Sequence, residues 1–367
     1  MHDPRVEAVA RILVDYSVNI QPGELVQIRG TPEGVPLIVA VYQRVLERGG
    51  HPWLRLGLDE AAEIMLKYAT EAQLDFVPDI DRQIIEQIQA AITIWTETNT
   101  KAFTNIDPVR QSRFQAARRP LTERFLERAA RKELKWTGTL YPTQAFAQDA
   151  EMSLREFEDF YYRAALVDEP DPIAAWRAVS KDQQRLIDWL LDKVQVRLVG
   201  PDTDLTLSIK DRSWVNCDGH ENFPDGEIFT GPVEDSVNGH IRFTYPACTD
   251  GREVEDVRLW FENGRVVKAT AAKNEPFLLT MLDTDEGARR LGEFAFGTNR
   301  GIQRFTKNTL FDEKIGGTVH MALGAGYPES GSKNRSAIHW DMVCDLRQGG
   351  EVWVDGVLFA RDGQFVI

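Results

Sequence analysis

Cysteine is scarce in this sequence. Only Cys217, Cys248 and Cys344 occur in 367 residues. No two of them share a C-x-x-C spacing, and an odd count makes no disulfide framework, so a reducing cytoplasm fits best. Long apolar runs are missing too, as is any low-complexity tract. The start, Met1-His2-Asp3-Pro4-Arg5, leads into an amphipathic pattern at Val6, Val9, Leu13 and Tyr16. Asp3 reads as a helix N-cap with proline in the first turn. This excludes a signal peptide and a membrane span. Basic residues are outnumbered, 43 against 57 acidic, for a net charge of −14. Such a surface repels phosphate backbones, which argues against nucleic acid as a partner and suits a protein that holds divalent cations. No G-x-G-x-x-G precedes a helix and no G-x-x-x-x-G-K-[ST] occurs, so Gly316-Gly317 and Gly324-Ala325-Gly326 read as turns and close backbone approaches. No internal repeat is evident.

What is there is ordinary globular composition, 43% hydrophobic and 27% charged, in a chain long enough for one large or two ordinary domains. The first half alternates strand and helix. Glu24–Arg29 reads as a strand closed by Gly30, Val35–Arg48 as a helix ending before Gly49-Gly50, and His51–Leu56, Ala90–Trp95 and Leu134–Tyr141 as further strands. That alternation predicts an α/β layer with a partly parallel sheet. Helices dominate from Pro142 to Lys193, with Trp176, Val179, Leu186 and Leu190 at helical spacing in the last one. The texture then changes. Short alternating strands such as Leu205–Ile209 and Val257–Glu262 are broken by Asn238-Gly239, Asn263-Gly264, Asp355-Gly356 and Asp362-Gly363, with one helix expected over Glu275–Arg290. The expectation is an N-terminal α/β domain, residues 1–193, and an α+β, β-rich catalytic domain, residues 194–367.

Chemistry concentrates in the second half. His339 and Asp341 alternate, so on a strand both side chains point to one face. The pair reads either as a site for zinc, cobalt or manganese or as a hydrogen-bonded surface histidine. Glu227 follows a Pro-Asp-Gly turn at the mouth of a strand, and a solvated hairpin glutamate would look the same. Glu293 lies among apolar neighbours, where a lone carboxylate is costly unless it is paired with an arginine or bound to metal. His220 and His240 bracket the Glu227 segment and read as surface or structural residues. Lys333 and Arg335 suit either a substrate carboxylate or plain surface.

Spacing does not join these pieces, but order does. Pro224-Asp225-Gly226-Glu227, Leu291-Gly292-Glu293, His320-x-Ala322-Leu323-Gly324-x-x-Tyr327 and Asn334-x-Ser336-x-x-His339-x-Asp341 together resemble the thermophilic aminopeptidases of the aminopeptidase T and S type. The resemblance implies a metal-dependent exopeptidase that releases N-terminal amino acids from peptides with a free N-terminus. It implies two divalent ions (zinc, cobalt or manganese) held by Glu227, Glu293, Glu313, His320, His339 and Asp341. Catalytic roles would fall on Glu293, as base, and on Tyr327. It also implies a homodimer. The sequence departs from the family pattern in two places. The link from Glu313 to His320 is longer than usual, and Met342-Val343-Cys344 replaces the usual Met-Ile-Gly. Another two-metal hydrolase of amides or phosphoesters, or a non-catalytic metal-stabilised binding protein, are the alternative readings.

Overall fold

The computed structural model describes residues 3–249 and 252–367, which leaves His2 outside the described residues. The chain folds as two compact units. One comprises the residues up to Ile173 together with Gly219–Pro224. The other comprises Ala174–Asp218 and Asp225–Ile367.

The first unit is the expected α/β layer. Leu25–Gly30, His51–Leu56, Ala90–Trp95 and Lys135–Leu140 form parallel strands, and the two-residue strand Asn222–Phe223 closes the sheet beside Lys135–Leu140. The central strands are apolar runs because helices cover both faces of such sheets: Val26, Ile28, Ala90, Ile92 and Ile94 are all buried. The first helix, Pro4–Ile12, starts as the sequence indicates, with Asp3 accepting the backbone N–H of Arg5 at 2.9 Å. The helix Val35–Glu47 stops at a left-handed Gly49.

The second unit is built on two antiparallel sheets. One has eight strands. The other runs, in spatial order, His339–Asp345, Thr318–Gly324, Leu291–Gly297, Glu227–Thr230 and Val215–Cys217. Asn263-Gly264 and Asp355-Gly356 form the tight hairpin turns expected of them, both residues of each having positive φ. Asn238-Gly239 does not. It lies inside the strand Asn238–Arg242, where a Cβ on Gly239 would come within 2.2 Å of the Asp204 carbonyl oxygen. Here glycine marks the close approach of a neighbouring strand, which sequence alone does not distinguish from a turn. The expected helix over Glu275–Arg290 also ends early, at Leu282. The Asp285 carboxylate accepts from Ala288 N, Ser336 Oγ and Ala337 N at 2.6–2.9 Å, and this turns the chain away from the helix. The helix Pro172–Leu190 is where texture and packing differ. By texture it belongs with the preceding helices, yet Leu186, Ile187 and Leu190 pack into the core of the second unit.

One irregularity in the five-stranded sheet governs the site. Register slips between Leu291 and Glu293, so Gly292 is an extra residue opposite the Thr318–Gly324 strand. Such a bulge re-aims the next side chain. A Cβ at Gly292 would lie 2.2 Å from the Ala325 carbonyl oxygen. Gly292→Ala should therefore cost about 1–3 kcal/mol, read as a lower urea midpoint at unchanged slope. An unchanged midpoint would mean that the bulge is not constrained.

Candidate metal centre

Three strands bring the acidic and imidazole side chains to one face. Ala322 lies opposite Glu293 on one side and Asp341 on the other. Because side chains alternate with period two, His320 shares the face of Ala322, and His339 shares that of Asp341. Ala295 pairs with both His320 and Phe229, and Gly297 pairs with Glu227, so Glu227 and Phe229 join the same face. Ala295, Gly297, Ala322 and Gly324 are the small residues between. Side chains of ordinary size there would fill the space into which the carboxylates and imidazoles point.

The resulting contacts centre on Glu293. Its Oε1 lies 3.3 Å from His320 Nε2, and its Oε2 lies 3.4 Å from His339 Nε2. Glu227 Oε2 is 3.2 Å from His320 Nε2, and Asp341 Oδ2 is 3.5 Å from His339 Nε2. Two sets, Glu227–Glu293–His320 and Glu293–His339–Asp341, each bring their ligand atoms within 4.8 Å of one another. Glu293 belongs to both. His339 Nδ1 donates to the Ala325 carbonyl at 2.7 Å, which aims Nε2 into the cluster, as backbone carbonyls commonly do for metal-ligating histidines.

The electrostatics of this cluster call for cations. Glu227, Glu293 and His320 are buried, and Glu227 Oε2 and Asp341 Oδ1 have no hydrogen-bond partner among the described residues. Glu227 Oε2 and His320 Nε2 are close, but they are not aligned to bond each other. They face common space. Carboxylate and imidazole donors around such a space fit a divalent metal ion. Burial disfavours a charged His320, yet Glu227 and the hydrogen bond to Glu293 outweigh it and raise its pKa to about 9. His339 is opposed by burial in the same way and is raised to about 11 by Asp341 and Glu293. Glu293 is lowered, its burial outweighed by the two histidines.

The remaining candidates fall around this core. Glu313 lies in the same cluster, with Lys314 Nζ 2.8 Å from its Oε2, but outside both three-residue sets. Burial, together with Asp341 and Glu227, raises its pKa well above the usual range. Tyr327 packs its ring 5.0 Å from that of His339 and 5.4 Å from that of Phe229. Burial and the carboxylates Glu293, Asp341, Glu313 and Glu227 keep its hydroxyl protonated. The loop between Tyr327 and His339 is tied down by Asn334, which donates to the carbonyls of Gly287 and Gly324, and by Ser336. Both residues of the sequence motif are thus tethers. Lys333 donates its backbone N–H to Glu234. His220 stacks on Tyr16 and His240 on Trp260, and neither belongs to a set of metal-compatible groups.

Sequence reasoning missed several contributors. Gln183, in the helix Pro172–Leu190, donates to the backbone carbonyls of Glu227 and Cys217. Asn299 donates to the Asp225 carbonyl at 2.7 Å. Cys217 and Asp225 form a third compact set with Glu227. Lys314 is buried and pairs with Glu227 at 3.4 Å. None of these has a spacing signal. Only the long lysine side chain beside a glycine-rich link hints at anything.

Comparisons with known proteins agree with this geometry. The family model described as Thermophilic metalloprotease (M29) matches residues 2–365. The chain is 27% identical to Aminopeptidase 2 of Geobacillus stearothermophilus, over 99% of this chain and 95% of that protein. It is 28% identical to Aminopeptidase T of Thermus aquaticus, over 98% of each. The solved structure of wild-type AmpT from Thermus thermophilus superposes with a TM-score of 0.87 at 25% identity, covering 99% of both chains.

The two histidines give the metal-free protein a defined pH response. A histidine whose folded pKa lies above its unfolded value of about 6.5 stabilises fully below that value, and the contribution fades as pH rises through the folded pKa. With His320 at about 9 and His339 at about 11, chelator-treated protein should lose thermal stability progressively from neutral pH upward. A flat melting profile across that range would show that neither imidazole is held protonated by its carboxylates.

Proposed function

The chain belongs to the thermophilic metalloprotease family, and from that premise we propose that it is a two-metal aminopeptidase acting on peptides with a free N-terminus. The observation that carries the reading is Glu293, whose two oxygens each face a different histidine. A carboxylate so placed suits a bridge between two ions, with Glu227 and His320 on one side and His339 and Asp341 on the other. Glu313, beside Lys314 and near Asp341, is assigned to the second side. Zinc, cobalt and manganese all match these donors. The relatives named as aminopeptidases support the substrate class.

Divalent ions held there supply Lewis acidity to the scissile carbonyl and make an attacking water acidic. The residues do the rest. Glu293 remains ionised beside the two histidines and is assigned to take the proton of the water and deliver it to the leaving amine. Tyr327 keeps its hydroxyl proton and is assigned to donate to the developing oxyanion. Its ring contacts with His339 and Phe229 fix its direction. The catalytic domain is assigned to the second unit, which contains every one of these residues. We also assign the protein to the cytoplasm as a homodimer. No helix among the described residues is long and apolar enough to cross a membrane, and light scattering should return twice the chain mass.

Purified protein should hydrolyse aminoacyl-p-nitroanilides, lose that activity on exhaustive chelation, and leave N-blocked substrates untouched. Full activity after metal removal, or equal turnover of blocked substrates, would overturn the assignment. Glu227→Ala and His339→Ala should each lower the bound metal per chain. Tyr327→Phe should keep the metal and lower kcat by roughly 10²–10³, the usual loss for an oxyanion donor. A Tyr327→Phe protein with unchanged kcat would remove that residue from the mechanism.

A further inference from the structure

Lys314 is the one charged residue at this centre that the proposed chemistry leaves without a role. Its side chain is 1% accessible. Its Nζ lies 2.8 Å from Glu313 Oε2 and 3.4 Å from Glu227 Oε1. Glu227 is thereby divided: Oε1 faces the ammonium, and Oε2 faces His320 at 3.2 Å. Among the described residues, no other lysine or arginine pairs with Glu227, Glu293, Glu313 or Asp341. The carboxylate of Asp225 adds to the same negative field, and Asp225, Glu227 and Cys217 form a compact set of their own. Lysine is almost never buried unless paired. Here it is paired with two carboxylates at once, on the side of Glu227 away from the histidine.

We infer that Lys314 is a built-in counter-cation of the metal centre: its ammonium neutralises Glu227 and Glu313 before any metal arrives, and it holds down the affinity of the Glu227–Glu293–His320 set for a divalent ion. The inference rests on reading the cluster as a metal centre. Its physical basis is simple. A fixed positive charge touching a ligand carboxylate repels a second cation bound to the same carboxylate, and the repulsion is strong where water is excluded. It also leaves only Oε2 of Glu227 open to an ion. A lysine that merely braced the loop would act in the opposite direction, since its removal would loosen Glu227 and weaken binding.

The test reads metal affinity. Protein stripped by chelation is titrated with Co²⁺ against a chromophoric chelator, for wild type and Lys314→Met. The weakest bound equivalent of Co²⁺ should tighten at least tenfold in Lys314→Met. Unchanged or weaker binding would overturn the role of Lys314 while leaving the metal centre standing. A wild-type protein that bound no Co²⁺ would instead overturn the metal-centre reading and this inference with it. Should Lys314→Met fail to fold, the pair Glu313→Gln and Glu313→Gln/Lys314→Met repeats the comparison, the double variant having the net charge of the wild type. The same tenfold tightening is expected between its members, and its absence overturns the inference equally.

Discussion

Crowded carboxylates on one buried face are the constraint to which the rest of the second unit answers. Glu227, Glu293, Glu313 and Asp341 converge where water is largely excluded. Removing one such ion from water costs several kcal/mol even after relaxation, and like charges at short range add to that cost. Without compensation these groups would protonate or the sheet would open. The chain supplies three positive charges in the metal-free state: His320, His339 and Lys314. The raised pKa values of both histidines and the high pKa of Lys314 follow from that neighbourhood. Each imidazole that gives up its proton offers a nitrogen lone pair in the same direction, so the arrangement that satisfies the empty cluster also prepares it for metal.

Holding charges in this way demands a scaffold that does not yield. The two central strands, Leu291–Gly297 and Thr318–Gly324, are buried along their whole length, and Phe294, Phe296, Val319, Met321 and Leu323 on the opposite face join the main core. A slip of one residue in either strand would exchange this apolar face for the acidic one, and so the core fixes the register that the chemistry needs. The bulge at Gly292 and the tethers Asp285, Asn334 and Ser336 then fix the segments that the sheet itself leaves open.

How much of this the sequence discloses follows the range of the interactions. The parallel layer was legible because its strands are apolar runs between helical patterns, and Asp3, Gly49 and the Asn263-Gly264 turn signal their conformations locally. The face shared by His339 and Asp341 was legible from alternation alone. The Asn222–Phe223 strand was not, being only two residues long and some eighty residues away from its partner Gly138–Thr139. Asn238-Gly239 misled because glycine serves both turns and close strand crossings. The helix expected to reach Arg290 ended at Leu282 because Asp285 bonds a loop fifty residues ahead. Lys314 had no signal whatever. Its partners are its neighbour Glu313 and Glu227, and the second contact exists only once the strands have paired.

The longer link between Glu313 and His320 is best understood through the same charges. Gly316 and Gly317 lie inside it. A Cβ at Gly316 would sit 3.0 Å from the Asn299 carbonyl oxygen, and Gly317 has positive φ beside Gly363. Ile315 and Asn299 form a β-bridge, and the Asn299 N–H donates to the Lys314 carbonyl. The link is therefore pinned on both sides of the lysine, and Asn299 in turn holds the Asp225 carbonyl just ahead of Glu227. A single asparagine thus couples the backbone that presents Lys314 to the backbone that presents Glu227. Extra length in this link does not slacken the site. It gives the chain room to tuck a cation against a carboxylate and still enter the Thr318–Gly324 strand in the register that puts His320 opposite Ala295.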